Sequence, residues 1–274
     1  MATRPKTIRP VQPNAGLEQL YRQRLDRLID DMHASLMYWI RAAYRAKPPE
    51  TVAVMAQDLN AFEGLSPAMA MRKAMRALSR RWLKQFDEAA PQLAAWFATA
   101  AADRCDKQLA KILRDGGFSV RFKMSKAAND VIQATTGENV ALIKSIATEH
   151  LAAVEGIVLR SVARGRDLHL AASEIEAKFG VTKRRAAFIA QSQNNMATAN
   201  ITRVRQQAIG VKQAIWVHSH AGAKPRPSHV KAGAEKVIYD VATGWFDPDE
   251  QKFILPGELP RCRCVSRPII PGWD

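Results

Sequence analysis

The sequence predicts an α+β protein, a mostly α-helical body followed by a small, loop-rich C-terminal β module. Three observations carry this expectation. Of the fourteen prolines, seven lie at or before Pro91, seven at or after Pro225 and none between. Proline is the strongest helix breaker, so the span between them is free for long helices. Upstream of Gly210, apolar residues recur at three- and four-residue steps, the period of a helix with one buried face. Beyond Gly210 the pattern changes to short β-type runs separated by Pro and Gly. The expected organisation is a flexible basic arm over 1–14, a helical body over 15–210 and a β module over 211–274.

The arm is basic, proline-rich and free of acids. The first helix is marked by Leu17, Leu20, Tyr21, Leu25, Leu28, Met32, Leu36, Trp39 and Ile40, and Pro48-Pro49 ends it. Ser66-Pro67 is a start signal for the next, with Met71, Met75, Leu78, Trp82 and Phe86 as its stripe. Pro91 is expected to start or kink a following helix that passes Trp96, Leu109 and Ile112 and stops at Gly116-Gly117. Phe118–Phe122 alternates like a short strand. A long helix is expected over about 137–164, striped by Val140, Ile143, Ile146, Leu151, Val154, Ile157, Val158 and Val162, with Gly165 as its stop. Asp167 reads as the cap of a shorter helix ending at Gly180, and Thr182 as the cap of another running to Gly210. The strand candidates are Lys212–His218, Lys236–Val241, Lys252–Leu255 and Cys264–Ile270. No internal repeat or heptad array is present.

Composition narrows the function classes. Apolar residues make up 47% of the chain, enough for a packed core. There are 41 Lys and Arg against 26 Asp and Glu, a net charge of +15, which argues for a polyanion nearby. Three cysteines exclude a disulfide scaffold and suit a reducing cytoplasm. No run approaches the ~18 apolar residues of a membrane span. The basic start lacks the apolar run of a signal peptide.

No catalytic signature stands in the chain: no G-x-S-x-G, H-E-x-x-H, Walker loop or G-x-G-x-x-G after a strand. No enzymatic role is expected. A Cys262 or Cys264 pairing with His229 is imaginable, but no spacing supports it. The sharper cluster is His218, His220, His229, Cys262 and Cys264. Such ligands suit tetrahedral zinc, and a small proline-rich module gains much from a metal staple. Against zinc, C-x-C is less typical than C-x-x-C, and the gap from His229 to Cys262 fits no standard finger. The simpler reading has the cysteines as small buried residues and the histidines on loops. No cofactor is therefore expected, with zinc on His229, Cys262 and Cys264 as the alternative. A Cys262–Cys264 disulfide would be strained by so short a loop. Cys105 reads as a buried helical residue.

The basic residues cluster. Arg72, Lys73, Arg76, Arg80, Arg81 and Lys84 lie opposite the Met71–Phe86 stripe and make a cationic helix face, the candidate for non-specific nucleic-acid contact. Lys183-Arg184-Arg185 is placed at a helix start, and Arg261, Arg263 and Arg267 bracket the cysteines. For any one cluster a solvated face is the simpler account. No DNA-reading fold is recognisable, so base-specific readout is not indicated. Trp216 and Trp245 are assigned to the module's core, and Arg226-Pro-Ser-His229 to a turn set by two prolines.

The ordered set Arg185-Ala186, Ile189-Ala190, Gln193, Asn200, Arg203, Gly210, Trp216, Arg226-Pro-Ser-His229, Gly233, Pro256-Gly257-Glu258, Cys262-Arg-Cys264 and Pro268-Ile269 resembles the Mu F-like minor head proteins of tailed bacteriophages. The match is clearest over 182–270. Gly137-Glu-Asn-Val and Pro13-Asn14-Ala-Gly16 look like the usual lead-in and arm. Such proteins often carry an acid before the R-P-x-H string, where this chain has Ala221-Gly-Ala-Lys224; no Asp–His pair is expected there. The resemblance implies a low-copy structural protein of the virion head interior, made in the bacterial host cytoplasm. Its implied partners are the portal protein, the major capsid protein and packaged double-stranded DNA, with no membrane. Its implied roles are head assembly and DNA packaging or ejection. The alternatives are a free non-specific DNA-binding protein and a zinc- or thiol-dependent enzyme.

Overall fold

The computed structural model describes residues 7–46, 67–164, 168–221 and 224–270. Four long helices come first: α1 (Ala15–Ala46), α2 (Pro67–Asp115), α3 (Lys126–Ala163) and α4 (Leu168–Ala208). The C-terminal part follows as β1 (Gln213–Val217), α5 (Pro227–Ala234), β2 (Ile238–Asp240), β3 (Trp245–Asp247), β4 (Lys252–Ile254) and β5 (Val265–Pro268). The expected α+β class is the class observed. Among the described residues no helix is long and apolar enough to cross a membrane. The sequence signals at Pro48-Pro49, Ser66, Gly165 and Asp167 lie outside the described residues.

The chain divides into two compact units, each discontinuous in sequence. One gathers 1–21, 94–139 and 188–274, and the other 22–93 and 140–187.

The described residues of the second unit are helical, apart from the turn at Arg164. Its core takes Leu25, Ile29, Met32, Leu36 and Ile40 from α1, and Met71, Met75, Leu78, Trp82 and Phe86 from α2. Ile143, Ile146, Leu151, Val154 and Val158 come from α3, and Ile175 and Ala186 from α4. The α2 stripe is thus buried as its spacing required. Leu20 and Trp39, assigned to the buried stripe of α1, are instead 44% and 48% exposed, because the true face passes through Ile29 and Leu36.

In the first unit the β module holds an antiparallel sheet in the order β2-β1-β5 and a separate β3-β4 hairpin. Trp216 lies at its centre, fully buried, with Tyr239 and Trp245 edge-on to it at 6.1 and 5.3 Å. Residues 7–14 are held rather than free: Ile8 and Val11 are buried, Thr7 bridges to Ile269, and Arg9 pairs with Asp115. The Asn14 carboxamide oxygen caps α1 by accepting from the Leu17 amide at 2.8 Å.

Four local expectations need correction. Pro91 neither starts nor kinks a new helix but sits inside α2. It costs one ladder bond, and buried Phe86, Ala90, Ala94 and Phe97 on either side hold the helix through it. Phe118–Phe122 is not a strand. Among the described residues it joins no strand, and Arg205 lies over the Phe122 ring at 5.3 Å while donating to the Lys123 carbonyl. The third helix starts at Lys126, eleven residues before the expected Gly137. Gly180 and Thr182 do not separate two helices, because α4 is continuous through both. Two glycine stops hold: Gly117 and Gly210 have φ of 89° and 80°. At each, two amides turn back to close the helix end, Gly117 to Arg114 and Phe118 to Leu113, then Gly210 to Gln207 and Val211 to Gln206.

Thr182 explains its own misreading. Its hydroxyl donates to the Lys178 carbonyl at 3.0 Å, so the bond at 2.9 Å to His150 Nδ1 must be donated by the ring. His150 Nε2 is then the unprotonated nitrogen, and it is buried with no partner among the described residues. Burial, followed by the charges of His33 and Lys178, lowers the His150 pKa from 6.5 to about 4. The unfolded chain therefore takes up this proton first as pH falls. Stability should be full above pH 6.5 and decline toward pH 4, by at most about 3 kcal/mol from this group. Urea melts across that range check it, and His150→Asn should flatten the decline.

Candidate functional site

The residues singled out in the C-terminal region converge on one point of the β module. The R-P-S-H string is not a free turn. Arg226, with φ −68° and ψ 130°, is the extended N-cap of α5, and Pro227 occupies its first turn. The Ser228 amide is capped by Asp249 Oδ2 at 3.1 Å. The Arg226 guanidinium donates to Glu250 and to the Pro260 carbonyl, both at 3.3 Å, so it ties the loop after β3 to the segment before Cys262. The turn so built points His229 inward.

His229 is 2% exposed. Its Nδ1 lies 3.4 Å from Cys262 Sγ and 3.7 Å from Cys264 Sγ, and its Nε2 lies 3.1 Å from Asp247 Oδ2. The Trp216 ring meets its edge at 5.0 Å. Both cysteines are free and buried, at 4% exposure each, and Asp247 is fully buried. The missing acid before the string is therefore replaced from elsewhere: Asp247, at the end of β3, forms the Asp–His pair. No motif marks Asp247 in the sequence.

The electrostatics follow from the geometry. Cys262 is held well below the usual thiol range, first by a hydrogen bond from Cys264, with burial opposing and the bond to His229 adding. The same bond from Cys264, then burial, pushes Cys264 up. The bond between them thus shifts the two thiols in opposite directions. Asp247 is raised by burial but lowered more by the groups that bond it, led by the Asp249 amide at 2.9 Å to Oδ1, so it stays ionised. A thiol beside an imidazole backed by a carboxylate has the composition of a thiol nucleophile, enclosed here with both cysteines 4% exposed.

The other motif residues build the walls. A Cβ on Gly233 would lie 2.4 Å from the His218 Cβ, so only glycine lets α5 pass the end of β1. Gly257 has φ 87°, and a Cβ there would meet Ala199 at 3.0 Å. Glu258 Oε2 accepts from the Leu255 amide at 2.7 Å, closing the Pro256-Gly257-Glu258 turn. Asn195, buried on α4, donates to the Cys262 carbonyl at 2.9 Å and fixes the cysteine turn from beneath. The sequence offered no sign of this contact. His218 and His220 stack edge-on at 4.8 Å beside the cluster, but neither ring joins the grouping of His229, Cys262 and Cys264.

The basic clusters separate. Arg72, Lys73, Arg76, Arg80, Arg81 and Lys84 are all exposed on α2, opposite its buried stripe. Lys84 approaches Glu88 at 3.9 Å, and among the described residues the other five meet no acid. Lys183-Arg184-Arg185 lies inside α4 rather than at a helix start. Lys183 pairs with Asp26 and Asp30 and Arg185 with Glu149, which neutralises two of the three. Arg261 lies over the Phe188 ring at 4.9 Å.

Residues 152–267 match the family model for phage Mu protein F like proteins. A curated protein of Haemophilus influenzae, named only as an uncharacterized protein, is 24% identical over 270 residues. The alignment covers 97% of this chain and 56% of that protein, so the chain spans little more than half of its relative. No solved structure matches the chain.

Two glycines distinguish wall from bystander. Gly233→Ala should destabilise by about 1–3 kcal/mol through the clash with His218. Gly137→Ala, in α3 with nothing within 4 Å of the added Cβ, should stabilise by about 0.4–1 kcal/mol. Chemical denaturation of the two variants reads both signs.

Proposed function

We propose that the chain is a low-copy minor head protein of a tailed bacteriophage, associated with the portal and inner head and acting in head assembly and DNA packaging or ejection. The observation that carries the reading is the match to the Mu F-like family model over 152–267, which suggests a phage head morphogenesis protein. That family is structural rather than typically enzymatic. The ordered residues that carried the sequence resemblance act here as parts of one framework: Trp216 as core, Arg226 as tie, Gly233 and Gly257 as close approaches, and His229 with Cys262 and Cys264 as the buried centre. Such residues shape a module for assembly contacts. The long helices upstream offer the surface for portal and capsid protein.

The α2 face supports contact with packaged DNA. Five exposed cations without an acidic partner among the described residues, on a chain of +15, suit phosphate and not base readout. The same face favours the second reading, a free DNA-binding protein.

Incorporation separates the two. The protein should copurify with proheads and virions and be retained by the cognate portal or capsid protein. Its absence from purified heads, with DNA retention intact, supports the second reading. On duplex DNA the affinity should fall with salt by a log–log slope of about −0.9 for each phosphate met. Neutralising Arg72, Lys73, Arg76, Arg80 and Arg81 together should flatten that slope, and an unchanged slope removes this face from the interface.

A further inference from the structure

We propose that His229, Cys262 and Cys264 form a zinc site that staples the β module, with Asp247 orienting the histidine from behind. The distances are those a tetrahedral site imposes. Zinc–sulfur and zinc–nitrogen bonds of about 2.3 and 2.0–2.1 Å place nitrogen and sulfur about 3.6 Å apart across a tetrahedral edge. His229 Nδ1 stands at 3.4 and 3.7 Å from the two sulfurs, and all three ligand atoms lie within 4.8 Å of one another. The remaining ring nitrogen faces a buried carboxylate at 3.1 Å, the arrangement that fixes a metal-bound imidazole and makes it a stronger donor.

The donor set selects the ion. Two thiolates and an imidazole favour zinc over magnesium or calcium, which prefer oxygen. Both cysteines are buried, and a divalent cation balances the charge of two buried thiolates. The Trp216 indole N–H, buried with no hydrogen-bond partner among the described residues and interacting with the Cys264 sulfur, then meets a thiolate. The fourth position falls to water or to His218, which is 9% exposed on the segment leaving β1. Stapling suits a module whose strands are three to five residues long.

Elemental analysis of the full chain, purified without chelator, should give one zinc per chain. Chelation should lower its melting temperature, and added zinc should restore it. Cobalt in place of zinc should show the absorption of a tetrahedral ion with sulfur-to-metal charge transfer from two thiolates, which needs no variant to fold. Cys262→Ser should lose about half of that charge-transfer intensity. Asp247→Asn should weaken zinc about 10–100-fold in competition with a chromophoric chelator. His218→Ala should leave stoichiometry at one and decide whether the fourth ligand is His218 or water. The proposal is overturned if the reduced chain neither retains nor takes up stoichiometric zinc. It is overturned equally if bound cobalt shows no thiolate charge transfer, or if Cys262 and Cys264 prove to be joined as a disulfide in the purified chain.

Discussion

The contact on which the C-terminal module depends is the inward placement of His229 against two sulfurs and a carboxylate. Each partner comes from a different segment: His229 from α5, Asp247 from the end of β3, and Cys262 and Cys264 from the turn before β5. None of these elements exceeds eight residues, and none could bury enough surface to stand alone. Trp216 on β1 packs edge-on against the same ring, so the sheet and the cluster share one core. The polar atoms at its centre are acceptable because both His229 nitrogens and the Asp247 carboxylate have partners.

A second constraint runs along the end of α4. Gln193, Asn194, Asn195, Arg205 and Gln206 are all buried, which is unusual for such residue types. Each serves a separate segment. Gln193 joins Asn139 and Glu138, and the Tyr21 hydroxyl donates to Asn139 at 2.7 Å. Asn194 donates to the Asn14 carbonyl, and Asn195 to the Cys262 carbonyl. Arg205, 3% exposed, forms a two-pronged pair with Asp106 at 2.8 and 2.7 Å. Gln206 accepts from Ser266, which in turn accepts from Tyr239. This half of α4 is a polar spine, and hydrogen bonds beside the buried Ala197, Ile201 and Val204 select which segment docks at each turn. Removing one partner would leave a buried group unpaired, a heavier cost than the bond itself contributes. The motif residues Gln193, Asn139 and Asn14 therefore serve architecture.

Charge is distributed by the same logic. Cations that face carboxylates, such as Lys183 and Arg185, are spent on internal pairing. Those of the α2 face are not, which is why the global excess of +15 is expressed as a local surface. A net charge cannot distinguish the two cases; only the positions of the acids can.

Much of the fold was legible because helix periodicity and glycine stops are local. The buried stripe of α2, the stops at Gly117 and Gly210, and strands within a residue or two of β1, β4 and β5 all follow from a few neighbouring residues. The errors share a cause. Pro91, Gly180 and Thr182 carry break signals that tertiary packing overrides, and Phe118–Phe122 has a strand's alternation but no strand to pair with. By itself, the sequence determined the α+β class, the cationic stretch of α2 and the candidate cluster of His229, Cys262 and Cys264, without Asp247 or Asn195. Only the tertiary structure decided that His229 meets Cys262, Cys264 and Asp247, that Asn195 holds the cysteine turn, and that Ile8 and Val11 are buried. Those pairings join residues 18 to 67 positions apart in the cluster, and no local period encodes which distant chain segment will face a given side chain.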